Sequence, residues 1–148
     1  MSRPAHQRPG LIALVCLGGA AGTAARFGLA TAVPASGLWP TSTFVANLLG
    51  AFLLGVLLEA LVGRGPETPG ARRVRLALGT GALGGFTTFS ALAIEVERLA
   101  AQGEWGLALA YGLVSVAGGF VCALVGVRVG ALRSARARGA ASSADGAP

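Results

Sequence analysis

The stretch GALGGFTTFS, residues 81–90, combines groups that could bind ions inside a segment that otherwise has the composition of a membrane-spanning helix. Glycines and adjacent threonines weaken a helix, and unwound backbone at membrane depth is tolerated only where protein or a water-filled cavity satisfies it. Carbonyl oxygens released by a break could coordinate a hard cation such as Na⁺. The hydroxyls could donate to an anion, and a phenylalanine ring could face one with its electropositive edge.

Three further polar side chains lie within other apolar segments. Asn47, in TFVANLLGAFLLG, offers two donors and one acceptor. Tyr111 and Ser115 are four residues apart and therefore share a helix face. Asn47, the threonines, the serine and the ring edge of the stretch above together suit a neutral, weakly donating path for a small anion, because tight binding would prevent exit. Two simpler interpretations stay open, namely a glycine-kinked helix and an interhelical hydrogen bond from Asn47.

The composition predicts that these residues are positioned by membrane-spanning helices. The 148 residues are 53% hydrophobic and only 12% charged, about half the charged fraction of an average soluble domain. Each of four apolar segments has the roughly 20 residues needed to cross a bilayer. We therefore predict an all-α membrane domain over residues 11–130, with a broken third helix. The predicted spans are 11–33, 41–62, 76–100 and 105–129, between an N-terminal cytoplasmic tail over 1–10 and a disordered tail over 131–148.

The arginines predict the orientation of the chain. Ten of the twelve lie on one side of the predicted membrane, in the two tails and in the loop after the second span. They are Arg3, Arg8, Arg64, Arg72, Arg73, Arg75, Arg128, Arg133, Arg136 and Arg138. Arg26 and Arg98 lie toward the other side. The positive-inside rule therefore places both termini in the cytoplasm, which agrees with an even number of spans.

Several classes of function are disfavoured. The net charge of +6 does not indicate a nucleic-acid partner, because topology accounts for the basic residues. The chain has no Ser-His-Asp set, carboxylate pair or metal-binding cluster, so we do not expect an enzyme. Glu59 and Glu95 lie toward span ends, where we expect them to reach water or an arginine.

Three motifs resemble those of the Fluc (CrcB) family of fluoride channels. GGAAGTAARF at 18–27 is similar to the first-span signature, and TSTFVANLLGAFLLG at 41–55 to the second. GTGALGGFTTFSALAIEVERL at 79–99 is similar to the third and most specific. The resemblance implies passive export of F⁻ across the bacterial cell membrane by an antiparallel, dual-topology dimer. It also implies a structural Na⁺ that is not transported.

The resemblance also implies roles for individual residues. The backbone carbonyls of Gly84 and Thr87 would hold the Na⁺. The expected partners are the fluoride ion, membrane lipid and a second subunit, which is either a copy of this chain or an oppositely oriented paralogue. The fluoride pathway would be formed by Asn47, Phe89, Thr88, Ser90, Tyr111, Ser115 and Arg26.

The chain departs from the family pattern at one pore position. The family's TTFSTF is TTFSAL here, so Leu92 stands where a second pore phenylalanine is expected. The arginine bias, ten against two, is also large for a chain that must insert both ways. We therefore expect mainly one orientation and pairing with an oppositely oriented paralogue that carries both phenylalanines.

Two other functions compete with this interpretation. A small multidrug-type, proton-coupled exporter also uses four short spans, but it needs a membrane-embedded carboxylate, and the first span has none. A non-conducting membrane scaffold subunit would explain the glycines as packing residues. It would not explain why Asn47 accompanies a broken TTFS segment.

Overall fold

A computed structural model of the chain describes residues 8–33 and 37–145, with side chains up to residue 136. The described part is all-helical apart from short connections. The order of elements is α1 (Pro9–Ala32), α2 (Thr41–Val62), α3 (Pro69–Val74), a π-helical segment (Arg75–Leu83), α4 (Gly84–Phe86), α5 (Phe89–Ala101) and α6 (Trp105–Asp145).

Among the described residues, four helical segments are long and apolar enough to cross a membrane, which confirms the predicted number. They are Pro9–Ala32, Thr41–Val62, Pro69–Ala101 and Trp105–Arg136. The helix α6 continues to Asp145, whereas the sequence predicted a disordered tail from residue 131. Alanine and arginine dominate residues 131–141, and both are good helix formers, so the helix can extend beyond the apolar span. Most of the predicted N-terminal tail, residues 1–7, lies outside the described residues.

Two long seams hold the helices together. One joins α2 to α6, where Gly126 faces the backbone of Phe52, and the other joins α1 to the π-helical segment. In the second seam Gly22 lies directly against the Ala82 carbonyl, so that even a methyl group there would overlap it. Close backbone approach through small residues is the usual way for membrane helices to associate, because lipid provides little hydrophobic drive.

The third membrane segment is the irregular one. It is π-helical from Arg75 to Leu83, becomes a single α-turn, and then loses helical geometry at Thr87 and Thr88. Both threonines are extended, with φ/ψ of −82°/157° and −152°/121°. The chain resumes as α5 at Phe89. The break predicted from the sequence is therefore present, and it follows a wide π turn of a kind often found at functional sites.

We expect Gly22→Ala to destabilise the protein by about 1–3 kcal/mol, because the added methyl group overlaps the Ala82 carbonyl. Gly28→Ala is the matched control on the same helix, since its added methyl group meets open space. Thermal unfolding of the purified protein measures both. Equal midpoints for the two variants would show that the seam between α1 and the π-helical segment tolerates separation.

Candidate functional site

The break in the third segment frees several carbonyl groups, among them those of Gly84 and Thr87. In a continuous α-helix the N–H of Thr88 would donate to the Gly84 carbonyl, and that of Ala91 to the Thr87 carbonyl. Here Thr88 N–H donates instead to Asn47 Oδ1 at 2.8 Å. Ala91 N–H donates to Thr88 Oγ1 at 3.2 Å, as at a helix N-cap. The carbonyls of Gly84 and Thr87 have thus lost the donors that a regular helix would supply.

Asn47 bridges α2 to the broken segment. Its Oδ1 accepts from Thr88 N–H, and its Nδ2 donates to Thr88 O at 3.0 Å. The structure therefore gives Asn47 the interhelical hydrogen bond that was the simpler interpretation of the sequence. Since a primary amide has two N–H donors, one donor of Asn47 stays available for another acceptor.

Two side chains reach the break from α1. Arg26 Nε donates to the Gly85 carbonyl at 3.2 Å, and Thr23 Oγ1 lies 3.4 Å from the same oxygen. In a regular helix that carbonyl would accept from Phe89 N–H. Arg26 was selected from the sequence and Thr23 was not, although their three-residue spacing on a helix places them on one face. The structure brings this arginine to the broken backbone.

Phe89 and Ser90 begin α5 on its outer side. Phe89 is 78% exposed, and the Ser90 hydroxyl lies 3.2 Å from that of Thr88. Leu92 is only 7% exposed and packs with Leu99, Ala108 and Tyr111 in the hydrophobic core. A cleft of about 340 Å³ opens beside the break. Its lining includes Asn47, Gly84, Thr87, Thr88, Phe89 and Leu92.

Tyr111 and Ser115 lie in a second polar cluster, between α2, α5 and α6. Glu95 accepts hydrogen bonds from Thr43 Oγ1 and from the Tyr111 hydroxyl, both at 2.7 Å. Tyr111 is fully buried, and the rings of Trp39 and Tyr111 pack edge to face at 5.1 Å. Ser115 is 4% exposed, and its hydroxyl has no hydrogen-bond partner within the described part of the chain.

The second cluster shows the partners of Glu95 and adds a residue. Both carboxylate oxygens accept from hydroxyl donors of neighbouring helices, and among the described residues no arginine is bonded to them, whereas the sequence led us to expect contact with water or an arginine. Thr43 was not selected from the sequence, although it lies one turn before Asn47 and therefore on the same face of α2. The α2 helix thus contributes to both clusters, through Asn47 at the break and through Thr43 at Glu95.

Fold and site together define a multi-pass membrane protein whose third helix is broken and whose freed backbone is bonded by side chains from two other helices. The family described as CrcB-like protein, Camphor Resistance (CrcB), matches residues 13–127. That range includes every site residue discussed above, and the chain belongs to this family.

Named relatives agree with this assignment. The chain is 44% identical over 130 residues to "Fluoride-specific ion channel FluC 2" of Leifsonia xyli subsp. xyli, which covers 88% of this chain and 90% of the relative. It is 49% identical over 121 residues to "Fluoride-specific ion channel FluC 1" of Cutibacterium acnes, covering 80% and 84%. A "Fluoride-specific ion channel FluC" of Phenylobacterium zucineum is 48% identical over 106 residues, covering 70% and 82%.

We expect Asn47→Leu to loosen the break, because it leaves both polar groups of the Thr88 backbone without their partner, at about 1–3 kcal/mol for each unsatisfied group. Amide hydrogen exchange in peptides covering residues 84–92 should become at least tenfold faster. Leu49→Ala, on the same helix, serves as the control. If amide exchange in residues 84–92 is equally slow in the two variants, the Asn47 amide does not stabilise the interrupted segment.

Proposed function

We propose that the chain is a subunit of a fluoride-specific ion channel that lets F⁻ leave the cytoplasm passively. The observation that carries the proposal is a set of side chains that meet at an interrupted helix in the membrane. They are the polar side chains of Asn47, Thr88 and Ser90 and the exposed ring of Phe89. Membership of the CrcB family and the names of the relatives support the same ion. Weak acid HF enters cells by diffusion and dissociates at neutral pH, so a passive exit for F⁻ lowers cytoplasmic fluoride.

The chemistry of the break suits an anion that must move on. The Thr88 and Ser90 hydroxyls bond each other, which leaves one of their two protons available. That proton and the remaining N–H of Asn47 are neutral donors, and the edge of the Phe89 ring carries only partial positive charge. Such groups replace part of an ion's hydration without the strong attraction of a fixed cation, which would hold it. Arg26, at the Gly85 carbonyl, would raise the local concentration of anions near the entrance.

The second cluster would continue the path along α6. The Tyr111 proton is donated to Glu95, and the Ser115 hydroxyl, which lies next to the Tyr111 oxygen, makes no well-aligned hydrogen bond among the described residues. A buried hydroxyl without a good hydrogen bond destabilises the protein, and a new hydrogen-bond acceptor would remove that cost. A passing anion or its water would meet that need at Ser115.

A second subunit would complete the site. Gly84, Phe89 and Ser90 are exposed on one subunit, and the cleft beside them is open. Polar groups at membrane depth are costly unless protein or water covers them. We therefore propose a dimer that encloses the broken helices, with the antiparallel arrangement that the family resemblance implies.

We also propose that the backbone carbonyls of Gly84 and Thr87 bind a structural Na⁺. Those of Gly84 and Thr87 lack their helical donors, and a hard cation prefers such oxygen ligands. Two oxygens do not fill the coordination shell of a cation, so the partner subunit would supply the others. When bound, the ion would neutralise carbonyl dipoles at the dimer centre, and it would not be transported.

The distribution of the arginines along the chain supports a proposal for the orientation of the chain in the membrane and for the kind of partner it has. Ten of twelve lie on the predicted cytoplasmic side, so we propose that both termini face the cytoplasm in the cell membrane. Such a bias favours one direction of insertion and therefore an oppositely oriented paralogue as partner. The numbering of relatives as FluC 1 and FluC 2 accords with organisms that carry more than one such chain.

Fluoride efflux from liposomes tests the function. Vesicles loaded with fluoride should release it when they contain this chain together with a paralogue of opposite arginine bias, and chloride-loaded vesicles should not. Rapid efflux with this chain alone would disprove an obligate paralogue. Absence of fluoride efflux from vesicles with this chain alone and from vesicles with both chains would contradict the proposed channel function.

We expect Phe89→Ile to lower that efflux at least tenfold while leaving the subunit folded, because the electropositive ring edge is lost from an exposed side chain. Phe120→Ile is the matched control, since Phe120 is similarly exposed on α6. A wild-type rate in Phe89→Ile would place this ring outside the pathway.

Sodium should stabilise the assembled protein. Purified in K⁺ from lysis onward and then transferred to Na⁺ at equal ionic strength, the protein should unfold at a higher temperature; saturation at 100 times the dissociation constant adds about 2.7 kcal/mol. Identical unfolding in the two salts would argue against a Na⁺ site at Gly84 and Thr87.

A further inference from the structure

A basic pocket lies at the end of the bundle where α1 and α3 begin, away from the broken helix. It has a volume of about 570 Å³, and Arg8, Arg72 and Arg73 line it together with Leu11 and Leu14. We propose that this pocket binds the phosphate group of an anionic phospholipid, with the lipid's upper acyl chain on the two leucines. This site is separate from the proposed fluoride pathway and does not depend on it.

The charge of the pocket favours an anion. Three guanidinium groups line it, and the one carboxylate among the lining residues belongs to Glu67. Glu67 Oε1 is bonded to Arg75 Nε at 2.8 Å, so this carboxylate is mainly neutralised by an arginine outside the lining. That hydrogen bond also lowers the pKa of the Glu67 carboxyl, which keeps it ionised and paired at neutral pH. The pocket therefore stays positive despite its acidic residue.

The type of basic residue suits a phosphate group. The chain has no lysine, and arginine presents a planar fork of donors that matches phosphate oxygens in pairs. The positive-inside rule explains why arginines lie on this side of the membrane. It does not require three of them, from two separate parts of the chain, to line one cavity.

The apolar wall favours a lipid over a soluble phosphate. Leu11 and Leu14 are three residues apart and share a face of α1. At a rise of 1.5 Å per residue, Leu14 lies roughly 7 Å beyond the start of the helix, on the side of the hydrocarbon core. A ligand with a phosphate at the arginines and an acyl chain below them would contact both parts of the pocket. Clusters of basic residues at helix ends are a recognised mode of binding anionic headgroups.

Native mass spectrometry of the purified full-length protein tests this site. The probes are phosphatidylglycerol, zwitterionic phosphatidylcholine and the soluble headgroup glycerophosphoglycerol. The test variant is Arg72→Gln with Arg73→Gln, and the control is Arg64→Gln with Arg133→Gln. The control makes the same change of charge on the same side of the membrane, at exposed residues outside the pocket.

The wild-type protein and the control should retain phosphatidylglycerol in preference to phosphatidylcholine. The test variant should bind phosphatidylglycerol about thirtyfold more weakly, and Arg73→Gln alone about fivefold, as expected for removal of two or one basic residues near an anionic lipid. The single variant changes an exposed side chain only, so it provides a measurement if the double variant is poorly folded.

Three results would overturn the proposal. Equal retention of phosphatidylglycerol by the test variant and the control would show that the pocket holds no headgroup. Equal retention of the zwitterionic lipid would show that the arginines do not select charge. Binding of glycerophosphoglycerol as tight as that of the intact lipid would assign the pocket to a soluble phosphate compound, because the leucines would then contribute nothing.

Discussion

The exchange of hydrogen bonds between the Asn47 amide and the Thr88 backbone is the interaction on which the rest of the site depends. An interrupted helix at membrane depth is unstable unless its polar groups find partners, since lipid offers none. One amide satisfies both the N–H and the C=O of Thr88, and Arg26 takes the Gly85 carbonyl. Because these side chains come from α2 and α1, the break is maintained by tertiary contacts and not by its own segment.

Close packing of backbones makes those contacts reachable. The short side chain of Thr23 can meet the Gly85 carbonyl only because α1 lies against the third segment through glycines such as Gly22. On the outer surface beside the break, no side chain of the described residues covers the Phe89 ring, which is 78% exposed. The protein thus combines closely packed backbones in its interior with an open surface beside the break, which is the surface that the proposed dimer would cover.

The Glu95 cluster adds a fixed negative charge to a protein proposed to conduct an anion. Both carboxylate oxygens accept from hydroxyl groups, one from Thr43 and one from Tyr111, so the charge is dispersed into hydrogen bonds. The consequence for Tyr111 is that its proton is committed to Glu95, whereas the Ser115 hydroxyl makes no well-aligned hydrogen bond among the described residues. Tyr111 and Ser115 share a helix face in the sequence, but in the fold their hydroxyl groups have different hydrogen-bond partners.

The sequence by itself determined the number of spans, a break within residues 81–90 and most residues that gather around it, because apolar length, glycine content and intramembrane polarity are local properties. Only the tertiary structure decided what those residues do with their hydrogen bonds. Asn47 could bond an ion or a neighbouring helix, and its contact with Thr88, 41 residues away, depends on how the helices pack. The burial of Leu92, the partners of Glu95 and the helical continuation to Asp145 were likewise not predicted. Pairing across helices depends on distances that spacing along the chain does not encode.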